Sequence, residues 1–338
     1  MSGDSEPNHS NKSSCIITVV SAAVLLVGPT VGREVSQAPA IPAESKSASL
    51  AFRSNRNNEY VFDTGILRGK IQRANRTLGL SSVVHVPSGL RLDGGFGILS
   101  YYRIFTTDKR YGHAAWDWPC ESRLLPEGAV QIIWPAEKGR PFEITATYRW
   151  AGRSTLDLQT SVKALENLSH FEIFLASYFR ENFSSPYVYV GANPEAEANP
   201  GFLLAKKSFG DWQMFPRDRE VLRVIQDGRW KKEPNPVKWA IMPQMAAPIC
   251  LRRGGATDLT VVLMSHPDDC FAMATPYKGE SHYSLYLSLF GRDVKAGETA
   301  RARSRLVVTT AASDREILGL YQKYAQDLAD GTISKDVP

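Results

Sequence analysis

The chain has 338 residues, of which 43% are hydrophobic and 10% aromatic, an ordinary composition for a globular protein with a sizeable core. Its net charge of +5 is small for this length and is not gathered in a block of Lys and Arg, so the pattern typical of nucleic-acid binding is absent from the sequence. The length allows two ordinary domains, but large β-sandwiches often reach it as one domain.

Residues 1–58 differ in composition from the rest of the chain. An apolar stretch at 15–28 follows a polar start and precedes a segment rich in Pro, Ala and Ser. It is shorter than the roughly 20 residues of a membrane span and is typical of the hydrophobic part of a secretory signal. We therefore expect residues 1–40 to direct export to the periplasm or out of the cell, or alternatively to remain as an anchor, the only membrane contact expected. Residues 41–58 are interpreted as a linker.

Alternation of apolar and polar residues predicts β-strands through most of residues 59–312. Early strands are predicted at 82–86 and 98–105. The glycine-rich run at 93–97 between them is interpreted as a turn, because it lacks the spacing of a phosphate-binding loop and no helical pattern follows.

The most regular strand pattern lies in three consecutive runs, 143–149, 156–164 and 171–179. The first two alternate between apolar and polar residues and are joined by a short turn. The third is apolar on both faces, which is typical of a strand that is covered on both sides. We expect three antiparallel strands of one sheet within a large β-sandwich.

These strands, together with residues 283–308, resemble the galactose mutarotase-like, or supersandwich, family of carbohydrate-active proteins. In the second stretch a strand is followed by Ala296-Gly297-Glu298 and a last strand, similar to the Pro-Gly-Glu loop that closes those sandwiches. The resemblance extends over about residues 60–310. It implies a mainly β protein, a large antiparallel β-sandwich with a C-terminal helix, and a carbohydrate partner, either a monosaccharide or a polysaccharide.

The catalytic residues of mutarotases have no direct match in this chain. The family's His-x-Tyr-Phe motif aligns with Ala176-Ser177-Tyr178-Phe179, so alanine replaces the histidine that acts as general acid in the family. The late strand that carries the family's glutamate base reads SLYLSLF here and has no acidic residue. The resemblance therefore implies carbohydrate binding, or chemistry that uses other residues.

Residues 313–330 are predicted to form a helix at the end of the chain. Ser313 and Glu316 have the spacing of a capping box. Apolar residues at helical spacing predict one buried face, which we expect to pack on the sandwich: Ile317, Tyr321, Tyr324 and Leu328.

The first of three polar and aromatic loops spans residues 106–121. Sugar sites use flat aromatic rings for the apolar face of the sugar and charged groups for its hydroxyls, and this loop holds both. The candidates for substrate binding are Arg110, Trp116, Asp117 and Trp118, and His113 is a candidate catalytic residue. The alternative is a surface loop that is held in place by its tryptophans.

Two further loops hold the remaining candidates. His266 and Asp269 follow a buried strand, and Glu280 and His282 precede a late strand. His266, Glu280 and His282 are candidate catalytic residues, because a Glu–His pair can act as base and acid, and Asp269 is a candidate for substrate binding. The alternative for both loops is a solvated turn. Because loops cluster at the ends of a sandwich, we expect all three loops to converge on one groove.

Neither a cofactor nor a metal is predicted, because no Cys or His cluster has the spacing of a zinc site. Beyond the export segment, Cys120, Cys250 and Cys270 allow at most one disulfide, and small buried side chains are the favoured interpretation. Three functions stay open. They are a sugar epimerase or polysaccharide lyase, a non-catalytic glycan-recognition protein, which Ala176 favours, and a structural envelope protein.

Overall fold

Two large, mainly antiparallel sheets share one core and confirm the β-sandwich expected from the sequence. The predicted export segment, and the predicted linker up to residue 49, lie outside the described residues. All described elements belong to one compact unit, Lys46–Pro338. The computed structural model describes residues 50–73, 76–192, 199–255, 257–310 and 313–331.

One sheet has nine strands in the described part of the chain, and all its neighbouring pairs are antiparallel. In spatial order the strands are Gly201–Leu204 (β14), Ser185–Val190 (β13), Met245–Arg253 (β17), Thr260–Ser265 (β18), Thr299–Thr309 (β21), Thr155–Ala164 (β11), Phe142–Gly152 (β10), Val130–Trp134 (β9) and Glu121–Leu124 (β8).

The opposing sheet has seven described strands, and the two strands at one edge are parallel to each other. In spatial order the strands are Ala240–Ile241 (β16), Trp212–Pro216 (β15), Cys270–Pro276 (β19), Ser284–Val294 (β20), Leu168–Tyr178 (β12), Ser100–Thr106 (β6) and Lys109–Arg110 (β7).

A smaller antiparallel sheet is built from the first part of the described chain. Phe52, just before this sheet, is buried, and its ring centre is 5.5 Å from that of Phe62. This small sheet therefore begins within residues 41–58, the segment predicted as a linker. The five strands are Arg53–Ser54 (β1), Glu59–Asp63 (β2), Leu67–Gln72 (β3), Ser81–His85 (β4) and Leu90–Arg91 (β5).

The three central strands do not form one sheet, contrary to the prediction. β10 pairs with β11 in the nine-stranded sheet, whereas β12 pairs with β6 and β20 in the opposing sheet. The chain crosses between the sheets at residues 165–167, and the loop that joins β20 to β21 crosses beside it. There the backbone N–H of Ala296 donates to Oδ1 of Asn167 at 2.9 Å. A short connection therefore changes sheet here instead of making a hairpin.

β12 is apolar on both faces because a different layer covers each face. Phe171, Ile173 and Leu175 belong to the core between the two large sheets. Phe174 and Ala176 belong to a separate aromatic cluster on the other side of the seven-stranded sheet. The prediction that this strand is covered on both sides is confirmed. The aromatic cluster on its second face contains the candidate functional site.

The C-terminal helix, Asp314–Ala329 (α2), is confirmed, and a single-turn helix, Leu222–Ile225 (α1), precedes it in the chain. Oγ of Ser313 accepts a hydrogen bond from the backbone N–H of Glu316 at 3.2 Å, and the capping box is complete. Ile317, Tyr324 and Leu328 pack on the outer face of the nine-stranded sheet. Among the described helices, none combines the length and the apolar character that a membrane span requires.

The three cysteines of the sandwich are free thiols. Cys250 and Cys270 are buried, as the favoured interpretation expected, whereas Cys120 is half buried. Within the described ranges, no cluster of three or more His, Cys, Asp or Glu side chains could hold a metal ion.

Candidate functional site

A cavity lined by aromatic rings lies on the outer face of the seven-stranded sheet. Its volume is about 400 Å³, within the range of roughly 300–1,000 Å³ that is typical of small-molecule sites. We call it the aromatic cleft. Its lining consists of nine aromatic residues and seven others: Phe96, Tyr102, Trp116, Phe174, Tyr178, Trp212, Trp230, Trp239 and Tyr286, with Arg76, Arg103, His113, Asn235, Pro236, Val237 and His282.

The floor of the aromatic cleft consists of side chains from β6, β12 and β20. Phe174 of β12 stacks on Tyr286 of β20, with ring centres 4.6 Å apart. In β6 the register with β12 is irregular next to Phe174, and two consecutive residues, Tyr102 and Arg103, both line the cleft. An irregularity of this kind re-aims a side chain without breaking the sheet. The sheet thus places a guanidinium among the rings of the floor.

Trp116 forms a wall of the aromatic cleft and is itself covered by other rings. It stacks on Tyr102 at 4.6 Å and on Phe96 at 5.4 Å, and only 2% of its surface is exposed. Phe96 reaches the cleft through the predicted turn, where Gly97 has a φ of +70° and an added side chain would clash with the carbonyl oxygen of Leu78. Trp116 therefore supports the wall more than it offers a free face to a ligand.

Residues 227–239 close another side of the cleft. Trp230 and Trp239 meet at a right angle, with ring centres 5.0 Å apart. Arg229 is fully buried and ties this segment to the sheet, because its Nη1 lies 2.9 Å from Oε2 of Glu172 in β12. The aromatic residues of the segment are thus held against the floor by a buried ion pair.

Two arginines hold residues 232–237 in place next to the floor. Nη2 of Arg103 donates to the carbonyl oxygen of Asn235 at 2.8 Å, and Nη1 of Arg110 donates to that of Pro234. Burial, and then the adjacent charge of Arg103, lowers the pKa of Arg110 to about 10. The side chain of Arg110 therefore stays protonated at neutral pH.

His282 brings a proton-transfer group to the cleft. Its Nδ1 lies 2.7 Å from Oε1 of Glu280, and its backbone N–H donates to Oε2 of the same carboxylate at 2.8 Å. The ring centre of Tyr178 lies 6.3 Å from that of His282. Burial raises the pKa of Tyr286 to about 12 and that of Tyr178 well above 10, so both hydroxyls are neutral donors at neutral pH. The arrangement can exchange a proton with a ligand and donate hydrogen bonds to it.

The structure brings residues of the first and third predicted loops together. His113, Trp116 and His282 all line the aromatic cleft. Glu280 does not line the cleft, but its carboxylate contacts the imidazole of His282. Two of the three predicted loops therefore meet at one site.

Arg110, Asp117 and Trp118 belong to the first loop but do not line the cleft. Arg110 binds the backbone of residues 232–237, as described above. Asp117 forms an ion pair at 3.0 Å with Arg76, which does line the cleft. Trp118 lies under the guanidinium of Arg140, with 4.1 Å between that group and the ring centre. These side chains shape the surroundings of the cleft.

His266 and Asp269 lie apart from the other candidates, contrary to the expected convergence of all three loops. Their loop precedes β19, whereas the loop with Glu280 and His282 follows it. A strand of seven residues separates the two loops by about 20 Å. Asp269 is buried, and its Oδ2 accepts hydrogen bonds from the backbone N–H and Nε of Arg303 at 3.0 and 2.9 Å. Its contacts therefore join this loop to β21.

A second cavity, of about 520 Å³, lies between α2 and the outer face of the nine-stranded sheet. One of its basic residues, Arg305, pairs with Asp157 at 2.6 Å and with Asp327 at 2.9 Å. Because these charges neutralise one another, this cavity has fewer features of a ligand site than the aromatic cleft.

Sequence reasoning missed most of the cleft lining. Trp212, Trp230 and Trp239 lie outside the three polar and aromatic loops that the sequence indicated, and Tyr102 and Arg103 lie in the strand predicted at 98–105. The three tryptophans within 28 residues were a signal in the sequence that such a cluster exists. The position of Arg103 had no such signal, because it depends on the local irregularity in β6.

No family model matches the chain, and no curated protein matches it in sequence. Among solved structures, it is similar to a putative aldose 1-epimerase from Escherichia coli, with 10% identity, a TM-score of 0.43 and coverage of 74% of this chain and 98% of that chain. It is also similar to the Slr1438 protein of Synechocystis sp. PCC 6803, with 13% identity, a TM-score of 0.45 and coverage of 78% of this chain and 99% of that chain. A galactose mutarotase-like protein from Lactobacillus casei has 11% identity and a TM-score of 0.42, with coverage of 74% of this chain and 100% of that chain. The activity of this chain is therefore inferred from its own residues.

Proposed function

We propose that this protein binds a carbohydrate in the aromatic cleft. The observation that carries the proposal is the set of nine aromatic residues around one cavity, with polar groups between them. Tyr102, Trp212 and Trp239 are only half buried. Their rings are therefore accessible for stacking on the apolar face of a sugar ring.

Polar groups of the cleft suit the hydroxyls of the same ligand. His113, Asn235 and His282 line the cleft and are exposed. The hydroxyl of Tyr286 already donates to that of Tyr178, so the O–H of Tyr178 is the one that can donate to a ligand. A wholly apolar ligand would bury these groups without partners, which costs free energy. A sugar is apolar on its faces and polar around its edge, so it matches both parts of the lining.

The test is a glycan-array screen of the purified full-length protein, followed by calorimetric titration with each glycan found. Trp239→Ala should weaken binding by about 1–3 kcal/mol, the range known for stacking between an aromatic side chain and a planar ligand ring. Trp118→Ala is the matched control, since Trp118 is also half buried but lies outside the lining. Absence of glycan binding, or equal losses in the two variants, would refute the proposal.

A second candidate function is acid–base chemistry on the bound sugar. It is favoured by the hydrogen bond of 2.7 Å between His282 and Glu280, because a carboxylate in this position orients an imidazole for proton transfer. A sugar epimerase and a polysaccharide lyase both need such a group. Assays for epimerisation and for chain cleavage, on each glycan that binds, separate this function from binding alone.

A further inference from the structure

Arg103 is a buried cation on the floor of the aromatic cleft. Only 4% of its surface is exposed. Its Nη2 donates to Oη of Tyr102 at 3.2 Å and to the carbonyl oxygen of Asn235 at 2.8 Å. Its Nε and Nη1 are buried and have no hydrogen-bond partner among the described residues. A buried donor without a partner is costly, so its presence in a cavity wall indicates a group that the cavity receives.

The charge on Arg103 also lacks a counter-ion in the described part of the chain. By contrast, the buried Arg229 pairs with two carboxylates, those of Glu172 and Asp227. The rings of Tyr102 and Trp230 lie 4.9 and 5.3 Å from the guanidinium of Arg103. Such cation–π contacts stabilise the charge in part, but they do not satisfy its N–H groups.

The described lining of the aromatic cleft holds basic residues and no Asp or Glu. Arg76 pairs with Asp117 and His282 with Glu280, both outside the lining, so the unbalanced charge is that of Arg103. A site with this balance attracts an anion, because low-dielectric walls strengthen the field inside a cleft. Most neutral residues of the lining are aromatic, so the anion is expected on a ligand that also stacks.

An anionic group can reach Arg103 next to residues 232–237. Asn235 and Pro236 are exposed and line the cleft. Their segment contacts Arg103 through one carbonyl oxygen, that of Asn235. A carboxylate or sulfate oxygen beside this carbonyl would give Nε and Nη1 an acceptor and the guanidinium a counter-charge.

We propose that the ligand of the aromatic cleft is an acidic sugar, whose carboxylate or sulfate group is bound by Arg103. This inference rests on the proposed function, because it names the class of carbohydrate that the same cleft binds. The anionic group lies on the floor, and the sugar ring stacks on the surrounding aromatic side chains.

The first test is an array that carries uronate-containing and sulfated oligosaccharides beside neutral oligosaccharides of the same backbone. Preference for either acidic group supports the inference, and the two acidic sets show which group is bound. Equal or stronger binding of the neutral forms would overturn it while carbohydrate binding stands, and Arg103 would then serve only to hold residues 232–237. Absence of binding to every glycan would overturn both proposals.

The second test is calorimetric titration with the best acidic glycan and with its methyl-esterified or desulfated form. Wild-type protein should prefer the acidic form by about tenfold or more, as one charge-assisted hydrogen bond provides. Arg103→Gln should abolish this preference, and Arg103→Lys, which keeps the charge, should retain part of it. Arg140→Gln is the matched control, because Arg140 is equally buried but lies outside the lining.

If Arg103→Gln does not fold, the ratio of the two affinities in wild-type protein decides the question alone. That ratio should fall as the salt concentration rises, since salt screens the interaction between the two charges. A ratio near one at every salt concentration would contradict the inference.

Discussion

Nη1 of Arg229 lies 2.9 Å from Oε2 of Glu172, and both side chains are fully buried. Glu172 belongs to β12, the strand that forms the floor of the aromatic cleft, and Arg229 directly precedes Trp230 of its lining. Nη2 of Arg229 also contacts Asp227 at 2.8 Å. The guanidinium of Arg229 thus fixes residues 227–239 to the seven-stranded sheet.

We expect Arg229→Met to lower the free energy of unfolding by about 3–5 kcal/mol, because it leaves the Glu172 carboxylate buried without its partner. Glu172→Gln should cost less, since Arg229 keeps Asp227 and the amide still accepts a hydrogen bond. Urea denaturation of both variants measures the difference. Equal stability of Arg229→Met and the wild type would show that the ion pair does not hold this segment.

The second prediction concerns His282 and its hydrogen bond to Glu280. We expect His282→Ala to lower turnover of the bound sugar by about 10²–10⁴-fold, the usual contribution of a general acid or base. Glu280→Gln keeps an acceptor for the imidazole and should have a smaller effect. His266→Ala is the control, because His266 lies at the opposite end of β19 from His282. A wild-type protein that binds its glycan without turnover would leave binding as the only function of the cleft.

The third prediction concerns the acid stability of the helix α2. Burial acts to raise the pKa of Asp327, but hydrogen bonds from Arg305 and Lys323 outweigh it and hold this pKa below its usual value of 3.8. The depressed pKa means that the folded protein gains stability above pH 3.8 and loses it as the pH falls through the lower, folded-state pKa. Asp327→Asn should therefore cost about 1 kcal/mol at neutral pH and remove this part of the acid dependence.

Circular dichroism at a series of acidic pH values, on the wild type and Asp327→Asn, measures this effect. Asp330→Asn is the control, because Asp330 lies beyond the last residue of α2 and no ion pair is found for it in the described part of the chain. Identical pH profiles for the wild type and Asp327→Asn would contradict the prediction.

The fourth prediction concerns the N-terminal segment. We propose that residues 15–28 direct export and expect cleavage between about residues 28 and 41, after the pattern of a signal peptide. N-terminal sequencing of the protein from its native source measures the cleavage site. An intact Met1 on protein from the cytosol would remove the export proposal, whereas an intact Met1 on membrane-bound protein would support the anchor.

The sequence by itself was sufficient for local structure. Alternation of apolar and polar residues located β10 and β11, since a strand with one covered face must alternate. The spacing of Ser313 and Glu316 located the start of α2, because a capping box involves only four consecutive residues. The polar and aromatic composition of two loops also indicated His113 and His282, which both line the aromatic cleft.

Only the tertiary structure decided which of these pieces meet. A run that is apolar on both faces, such as β12, must be covered twice, but its residues do not specify which strands pair with it. Likewise, neither His266 nor His282 carries information about the end of β19 at which it lies. The position of Arg103 depends on an irregularity between two strands that are about 70 residues apart in the chain. Strand pairing and the positions of these side chains are set by contacts between residues that are distant in the chain. A sequence pattern carries information only about residues that are close together in the chain.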